Sequence, residues 1–277
     1  MESGASTDRR GVVEVSGPEA RDFLQRLVTN DVEKLTSGQA CYAALLTPQG
    51  KIIVDFMVVA APEPDLHERF LLDCPAVLAP DLARRLTLYK LRAKVTIADR
   101  SGQLGASPLV GDIAPTGTGV VIYADPRSAN LGNRAVGPSD LIMSLAPAPA
   151  DYRTRRILAV VPEGGLDFTY GDSFPHEANL DRLYGVDFTK GCYVGQEVVS
   201  RMQHRSTTRK RVTPVHFPDA PPKPGSEILA GDLPIGTVGT VEGGRGLAML
   251  RLDRVADATA TGTAITAAGQ MVEVDRP

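Results

Sequence analysis

"TKGCYVGQE", residues 189–197, sets one cysteine between a glycine and a tyrosine, with a lysine two positions before it and Gly-Gln-Glu close behind. Gly191 and Gly195 permit backbone conformations and close approaches that side chains forbid. A helix expected from about Gly195 through "QEVVSRMQHR" turns the positive end of its dipole toward the sulfur, and Lys190 adds a cation; both favour thiolate over thiol. Glu197, in the first turn of that helix, opposes the same field. A free cysteine is more often a small buried hydrophobe than a reactive group, so the local setting has to outweigh that default. Cys41 and Cys74 sit inside strand patterns and read as core, which leaves Cys192 as the candidate functional thiol. Three cysteines, an odd number without C-x-x-C spacing, argue against a disulfide framework and a zinc site.

Outward from this stretch the chain reads as α+β. "VVEVSG" alternates as a strand and runs into "PEARDFLQRLVTNDV", a helix capped by Ser16 or Gly17, with Pro18 at its first position and Asn30 and Asp31 at its end. "ACYAALLTPQGKIIVDFMVVAA" reads as two apolar strands joined by a tight turn at residues 47–50. "RFLLDC" and "KVTIAD" are further strands, separated by the helix "APDLARRLTLYKLRA" with Leu82, Leu86 and Tyr89 inward. Between residues 101 and 149 only "GVVIYAD" and "DLIMSLA" read as strands. "DYRTRRILAVVPEGG" is a helix closed by Pro162, Gly164 and Gly165. After Thr208 come short strands with turn signals between them, among them "GLAMLRLDRV" as one strand, the pattern of a small β-barrel or sandwich. Residues 11–206 and 207–277 are the expected domains.

Hydrophobic residues make up 43% and charged residues 23% of the chain, the balance of a soluble globular protein. A net charge of −3 gives no support for whole-molecule attraction to nucleic acid or to a membrane. The polar start and the lack of an apolar run of about 20 residues lead us to expect a soluble, cytoplasmic monomer with reduced thiols. The basic run at residues 200–211 is a solvated helix face and linker or a surface for a flexible polyanion; without interleaved aromatics it does not suit stacked bases. Glu177, in "FPHEANL", is either a solvated loop residue or a carboxylate for a planar amidine-like edge such as a pterin presents. The four histidines, His67, His176, His204 and His216, lack ligand spacing, so no metal is expected.

"KGCYVGQE" resembles the K-G-C-[FY]-x-G-Q-E signature of the YgfZ-type folate-binding proteins, relatives of the glycine-cleavage T-protein. "FLQRLVTNDV" with "YAALLTPQGKI" resembles that family's N-terminal block, "YKLRAKV" its middle block and "YRTRRI" the helix before the signature. "EANLDRLYGVDFTKGCYVGQE" looks closest to the mitochondrial branch that matures [4Fe–4S] proteins. The resemblance implies a T-protein-like fold: two intertwined α+β subdomains and a C-terminal barrel around a channel for tetrahydrofolate. It also implies Cys192 as the functional thiol, framed by Lys190, Gly191, Tyr193, Gly195, Gln196 and Glu197, with Glu177, Asp55 and Lys190 toward folate. The expected role is a folate-binding accessory factor for assembly or repair of [4Fe–4S] proteins, partnered by iron–sulfur clients or assembly proteins. An effect on tRNA modification would be indirect, through an iron–sulfur enzyme, with no nucleic acid bound directly. The alternative is a tetrahydrofolate-dependent aminomethyl or other one-carbon transferase. In the aminomethyltransferases the segment matching "GKIIVDF" carries paired aspartates; here Val54 precedes Asp55, a group that would steer the proton is missing, and Asp55 could substitute only if the register shifts, because adjacent strand residues point to opposite faces.

Overall fold

The computed structural model describes residues 9–61, 68–109, 118–144, 149–205 and 208–275. His67, and Ser206 and Thr207 of the basic run, lie outside them. The first unit runs β1 (Arg10–Ser16), α1 (Ala20–Gln25), β2 (Ala40–Leu46), β3 (Ile52–Ala61), β4 (Arg69–Pro75), α2 (Ala79–Lys90) and β5 (Thr96–Asp99). Its sheet has the order β2-β3-β4-β1-β5 with every pair antiparallel. β2 and β3 are apolar along their length because both faces are covered, which erases the usual alternation. One face sets Ala43, Leu45, Val54 and Phe56 against Phe23 and Leu24 of α1 and Leu82 and Leu86 of α2. The other sets Tyr42, Leu46, Met57 and Val59 against a second core that reaches Val212 and Leu247 near the C-terminus. Asp55 lies opposite Ala44 in the ladder, and so it faces this second core.

A second, three-stranded sheet follows: β6 (Leu104–Pro108), β7 (Val121–Ala124) and β8 (Asn133–Pro138), ordered β6-β8-β7. α3 (Ser139–Met143) and α4 (Pro149–Leu158) complete this part. The chain then runs back over the first sheet: the Ile52 amide donates to Ser173 O, the Gly171 amide to Ile52 O, and Thr29 Oγ1 to Gly185 O. This return ties the two halves of the large region together. α5 (Gln196–Arg205) leads into β9 (Lys210–His216), β10 (Glu227–Ala230), β11 (Leu233–Glu242), β12 (Arg245–Arg251), α6 (Leu252–Thr261), β13 (Ile265–Ala267), β14 (Gln270–Met271) and β15 (Glu273–Val274). The seven strands are ordered β14-β13-β10-β11-β12-β9-β15. Only Val272 separates the two edge strands in sequence, so the sheet curls into a nearly closed barrel around Phe217, Ile228, Ile235, Val238 and Leu250.

Four expectations need correction. α1 has only six residues because tertiary bonds pull the following chain out of the helix: Val28 bridges Leu45, and Asn30 Nδ2 donates to Tyr42 O. Tyr89 is 38% exposed rather than inward, at the last turn of α2, whose buried stripe ends at Leu86. "DLIMSLA" contains the short helix α3, not a strand; Ile142 is buried and Met143 exposed, the one-sided burial of a single helical turn. "LDRV" opens α6 and is not a strand end, and that helix closes at Gly262 in the left-handed conformation, φ +68°. No helix among the described residues is long and apolar enough to cross a membrane.

Candidate functional site

A cavity of about 200 Å³ opens between the two sheets and α4. β1 contributes Arg10, β3 Asp55, β8 Arg134 and α4 Tyr152, Arg153 and Arg156; Arg127 and Tyr170 come from loops. Each of the five arginines has a carboxylate. Asp73, fully buried, takes Arg10 at 2.6 Å and Arg134 at 2.7 Å and accepts from Tyr123 Oη at 3.0 Å. Burial alone would raise its pKa, but the two guanidiniums win and hold the carboxyl well below the usual range. Asp125 grips Arg127 through two bonds of 2.9 and 2.7 Å. Arg156 reaches Asp167 at 2.8 Å and Thr240 Oγ1 of the barrel at 2.8 Å, and Arg153 reaches Glu242 of the barrel at 3.0 Å. Asp167 in turn accepts from the Thr240 amide at 2.6 Å.

Asp55 differs. Among the described residues its carboxylate meets no cation; it accepts from Tyr42 Oη at 2.8 Å and Tyr170 Oη at 2.5 Å. Burial, and then the Asp55 charge, push both phenols well above their ordinary pKa, so both remain donors. Gly164 lies against the Tyr170 ring: a Cβ built there falls 2.1 Å from Tyr170 Cζ and Oη. A buried carboxylate held by two hydroxyls keeps spare lone pairs for an N–H edge. The cavity therefore suits a flat polar heterocycle, and its residues fit the head group of tetrahydrofolate.

The signature loop lies elsewhere. Cys192 is exposed and does not line the cavity, while Cys41 and Cys74 are buried core thiols that burial pushes up to about 12. Lys190, expected toward folate, does not line the cavity. Its Nζ donates to Gln25 O, Val28 O and Asn30 O, each at 2.7 Å, and so ties the loop to the end of α1. Burial draws that ammonium down to about 8, against the pull of Asp31. Tyr193 is buried in the main core, and Gly195, at φ +83°, seats the loop on the β2–β3 turn. A Cβ at Gly195 would lie 2.6 Å from Thr47 O and 3.1 Å from Gly50 Cα, so only glycine fits. Gly191 faces open space. Gln196 begins α5 as expected, and Glu197 pairs with Arg201 at 2.5 Å on its surface.

Glu177 also departs from expectation. It accepts from the Phe174 amide at 2.8 Å and lies in a separate polar groove with Lys51, Asp172 and Lys210. Of the three residues expected toward folate, only Asp55 reaches the cavity. Sequence reading missed the arginine wall and Tyr152. The usable signal is the spacing of Tyr152 and Arg156, one helical turn apart on a single face of "DYRTRRIL". The basic run is likewise broken up, because Arg211 is buried against Asp181 at 2.8 Å.

Comparison with known proteins places these features. Residues 7–115 match the profile of the GCVT N-terminal domain, and residues 209–277 match the CAF17 C-terminal beta-barrel domain. In fold the chain resembles the crystal structure of glycine cleavage system aminomethyltransferase T from Bartonella henselae, with a TM-score of 0.74 over 98% of this chain and 84% of that one at 16% identity. The aminomethyltransferase T-protein fold is thus confirmed. The iron-sulfur cluster assembly factor IBA57 of Homo sapiens, mitochondrial, is 33% identical across 90% of this chain and 77% of its own length. The mitochondrial IBA57 homolog of Mycosarcoma maydis is 37% identical across 77% of this chain, which spans 57% of that longer relative. These relatives are mitochondrial proteins, and the cytoplasmic expectation is withdrawn on that ground. On the identity and coverage shared with these relatives, this chain belongs to the IBA57 family of iron–sulfur cluster assembly factors.

Proposed function

We propose that the chain is a folate-binding accessory factor for the assembly or repair of [4Fe–4S] proteins, with residues 11–206 as the ligand-binding body and 207–277 as its barrel. The observation that carries this reading is the separation of two chemistries: an exposed thiol at Cys192, and a cavity holding the Asp55 carboxylate, which among the described residues is bonded to two tyrosine hydroxyls and to no cation. Kinship with the IBA57 factors supports the role, and the T-protein fold supports tetrahydrofolate as the ligand. Cys192 acts on cargo, ligating iron or sulfur transiently or exchanging thiols with an iron–sulfur client or assembly protein. Asp55 binds the folate head; Lys190 and Gly195 hold the cysteine loop in place. Any influence on tRNA modification passes through an iron–sulfur enzyme.

Deletion of the gene followed by assay of a cluster enzyme such as aconitase tests the role, with rescue by wild type and by Cys192→Ala compared. Full rescue by the alanine variant removes the thiol from the mechanism, and normal aconitase in the deletion strain under oxidative stress removes the role itself. A tetrahydrofolate titration of purified protein tests the ligand. A second reading, a tetrahydrofolate-dependent aminomethyl or one-carbon transferase, draws on one observation: Asp55 lines the cavity next to a register shift of the β2–β3 ladder between Leu45 and Leu46. It requires turnover of a methylamine-type donor that Asp55→Asn abolishes, and absence of turnover by the wild type ends it.

A further inference from the structure

Tyr152 sits on the cavity wall, half-buried, in the first half of α4. A phenol oxygen accepts two hydrogen bonds and donates one. Both acceptor positions are taken: Arg127 Nη2 donates at 2.8 Å and Arg134 Nη1 at 3.1 Å. Neither guanidinium is free to turn away, since Asp125 holds the first by two bonds and Asp73 holds the second at 2.7 Å. The hydroxyl proton is what remains, and among the described residues it has no acceptor. Resting on the folate reading above, we infer that Tyr152 is an outward hydrogen-bond donor of the cavity and that it reads a neutral carbonyl oxygen of the ligand.

The choice of a neutral carbonyl over a carboxylate or phosphate follows from the charges. The five lining arginines already face five carboxylates, Asp73, Asp125, Asp167, Glu163 and Glu242. Asp55, in the same cavity, adds a negative charge that among the described residues has no ion-pair partner. An anionic group would enter a site whose positive charge is spent and would meet Asp55 besides. A neutral carbonyl meets no such opposition, and the two guanidiniums polarise the phenol and strengthen its donation. An N–H for Asp55 and a C=O for Tyr152 are what the lactam edge of a 4-oxopterin offers. A 4-amino-4-deoxypterin instead turns an amine toward a donor.

The test is calorimetric titration of the full chain with folic acid and with its 4-amino-4-deoxy analogue, for wild type and Tyr152→Phe. Wild type is expected to prefer the 4-oxo compound about tenfold, the scale of one buried hydrogen bond. Tyr152→Phe should weaken 4-oxo binding about five- to tenfold and leave the 4-amino compound within about twofold, so that the preference collapses. Equal weakening of both ligands assigns Tyr152 a structural role and overturns the inference. So does equal affinity of wild type for the two compounds, a result that needs no variant to fold. Inorganic phosphate at millimolar concentration should not displace the 4-oxo ligand; displacement reveals an unspent cation and overturns the neutral-carbonyl assignment. If wild type binds neither pteridine, the folate reading itself falls and takes this inference with it, whereas binding with an indifferent Tyr152→Phe removes the inference alone.

Discussion

Gly164→Ala is the most direct probe of how the cavity wall is held. The new methyl would lie 2.1 Å from Tyr170 Cζ and Oη, where carbon contacts normally settle at about 3.5–4.0 Å. The ring cannot slide freely, because it packs edge-on against Phe168 with centroids 5.4 Å apart and is pinned to Asp55 by the 2.5 Å bond. Overpacking costs about 1–3 kcal/mol, and losing a hydrogen bond to a charged acceptor costs about 1.5–3 kcal/mol. Reduced freedom of the unfolded chain returns about 0.4–1 kcal/mol. The net expectation is a loss of about 2–4 kcal/mol, read as a lower midpoint in urea unfolding with an unchanged slope. The cause is isolated by repeating the substitution in a Tyr170→Ala background, where the methyl has room and the cost should fall below about 1 kcal/mol. Equal losses in the two backgrounds would refute the steric argument.

Three further outcomes are expected. Lys190→Met leaves the carbonyls of Gln25, Val28 and Asn30 without their donor and should cost about 2–4 kcal/mol at neutral pH. Because the folded pKa of Lys190, about 8, lies below its ordinary 10.5, the unfolded chain holds more protons across that window. Wild-type stability should then rise with pH from about 8 to 10.5 relative to that of the variant; parallel pH curves would exclude it. Asp73→Asn strips two guanidiniums of their shared buried partner and should lose about 3–5 kcal/mol, seen in thermal unfolding; a change under about 1 kcal/mol contradicts the network. Cys192→Ser, at an exposed position, should leave stability within about 0.5 kcal/mol and folate affinity unaltered, while cluster-enzyme rescue fails; lost folate binding would join the two sites that the fold separates.

Local rules made some elements legible and hid others. The β2–β3 hairpin could be read because two apolar runs flank a Pro-Gln-Gly turn, and α5 because Gly195 marks its start. β6 and β8 could not, since "LGASP" and "NRAVGP" carry the glycine and proline that usually punctuate loops. β8 also buries Arg134, whose partner Asp73 lies 61 positions away; no window of sequence holds both. The same distance hid the cavity. Arg10, Asp55, Arg134 and Tyr152 stand far apart in the chain and converge only through sheet order. The exposed placement of Cys192 just before α5 was legible because that setting is contiguous. Lys190 was misassigned for the converse reason: its acceptors lie about 160 residues upstream.

The bonds from Arg153 to Glu242, from Arg156 to Thr240 and from the Thr240 amide to Asp167 bear on how such proteins can be recombined. They join α4 and the loop after it to one strand of the barrel, and Gly239 beside them leaves no room for a Cβ, which would stand 2.4 Å from Asp167 Oδ1. A chimera that borrows its barrel from a relative must therefore import α4 and residue 167 as well, or its arginines lose their anchors on the far side. What looks like a modular tail is inherited as one piece with the wall it braces.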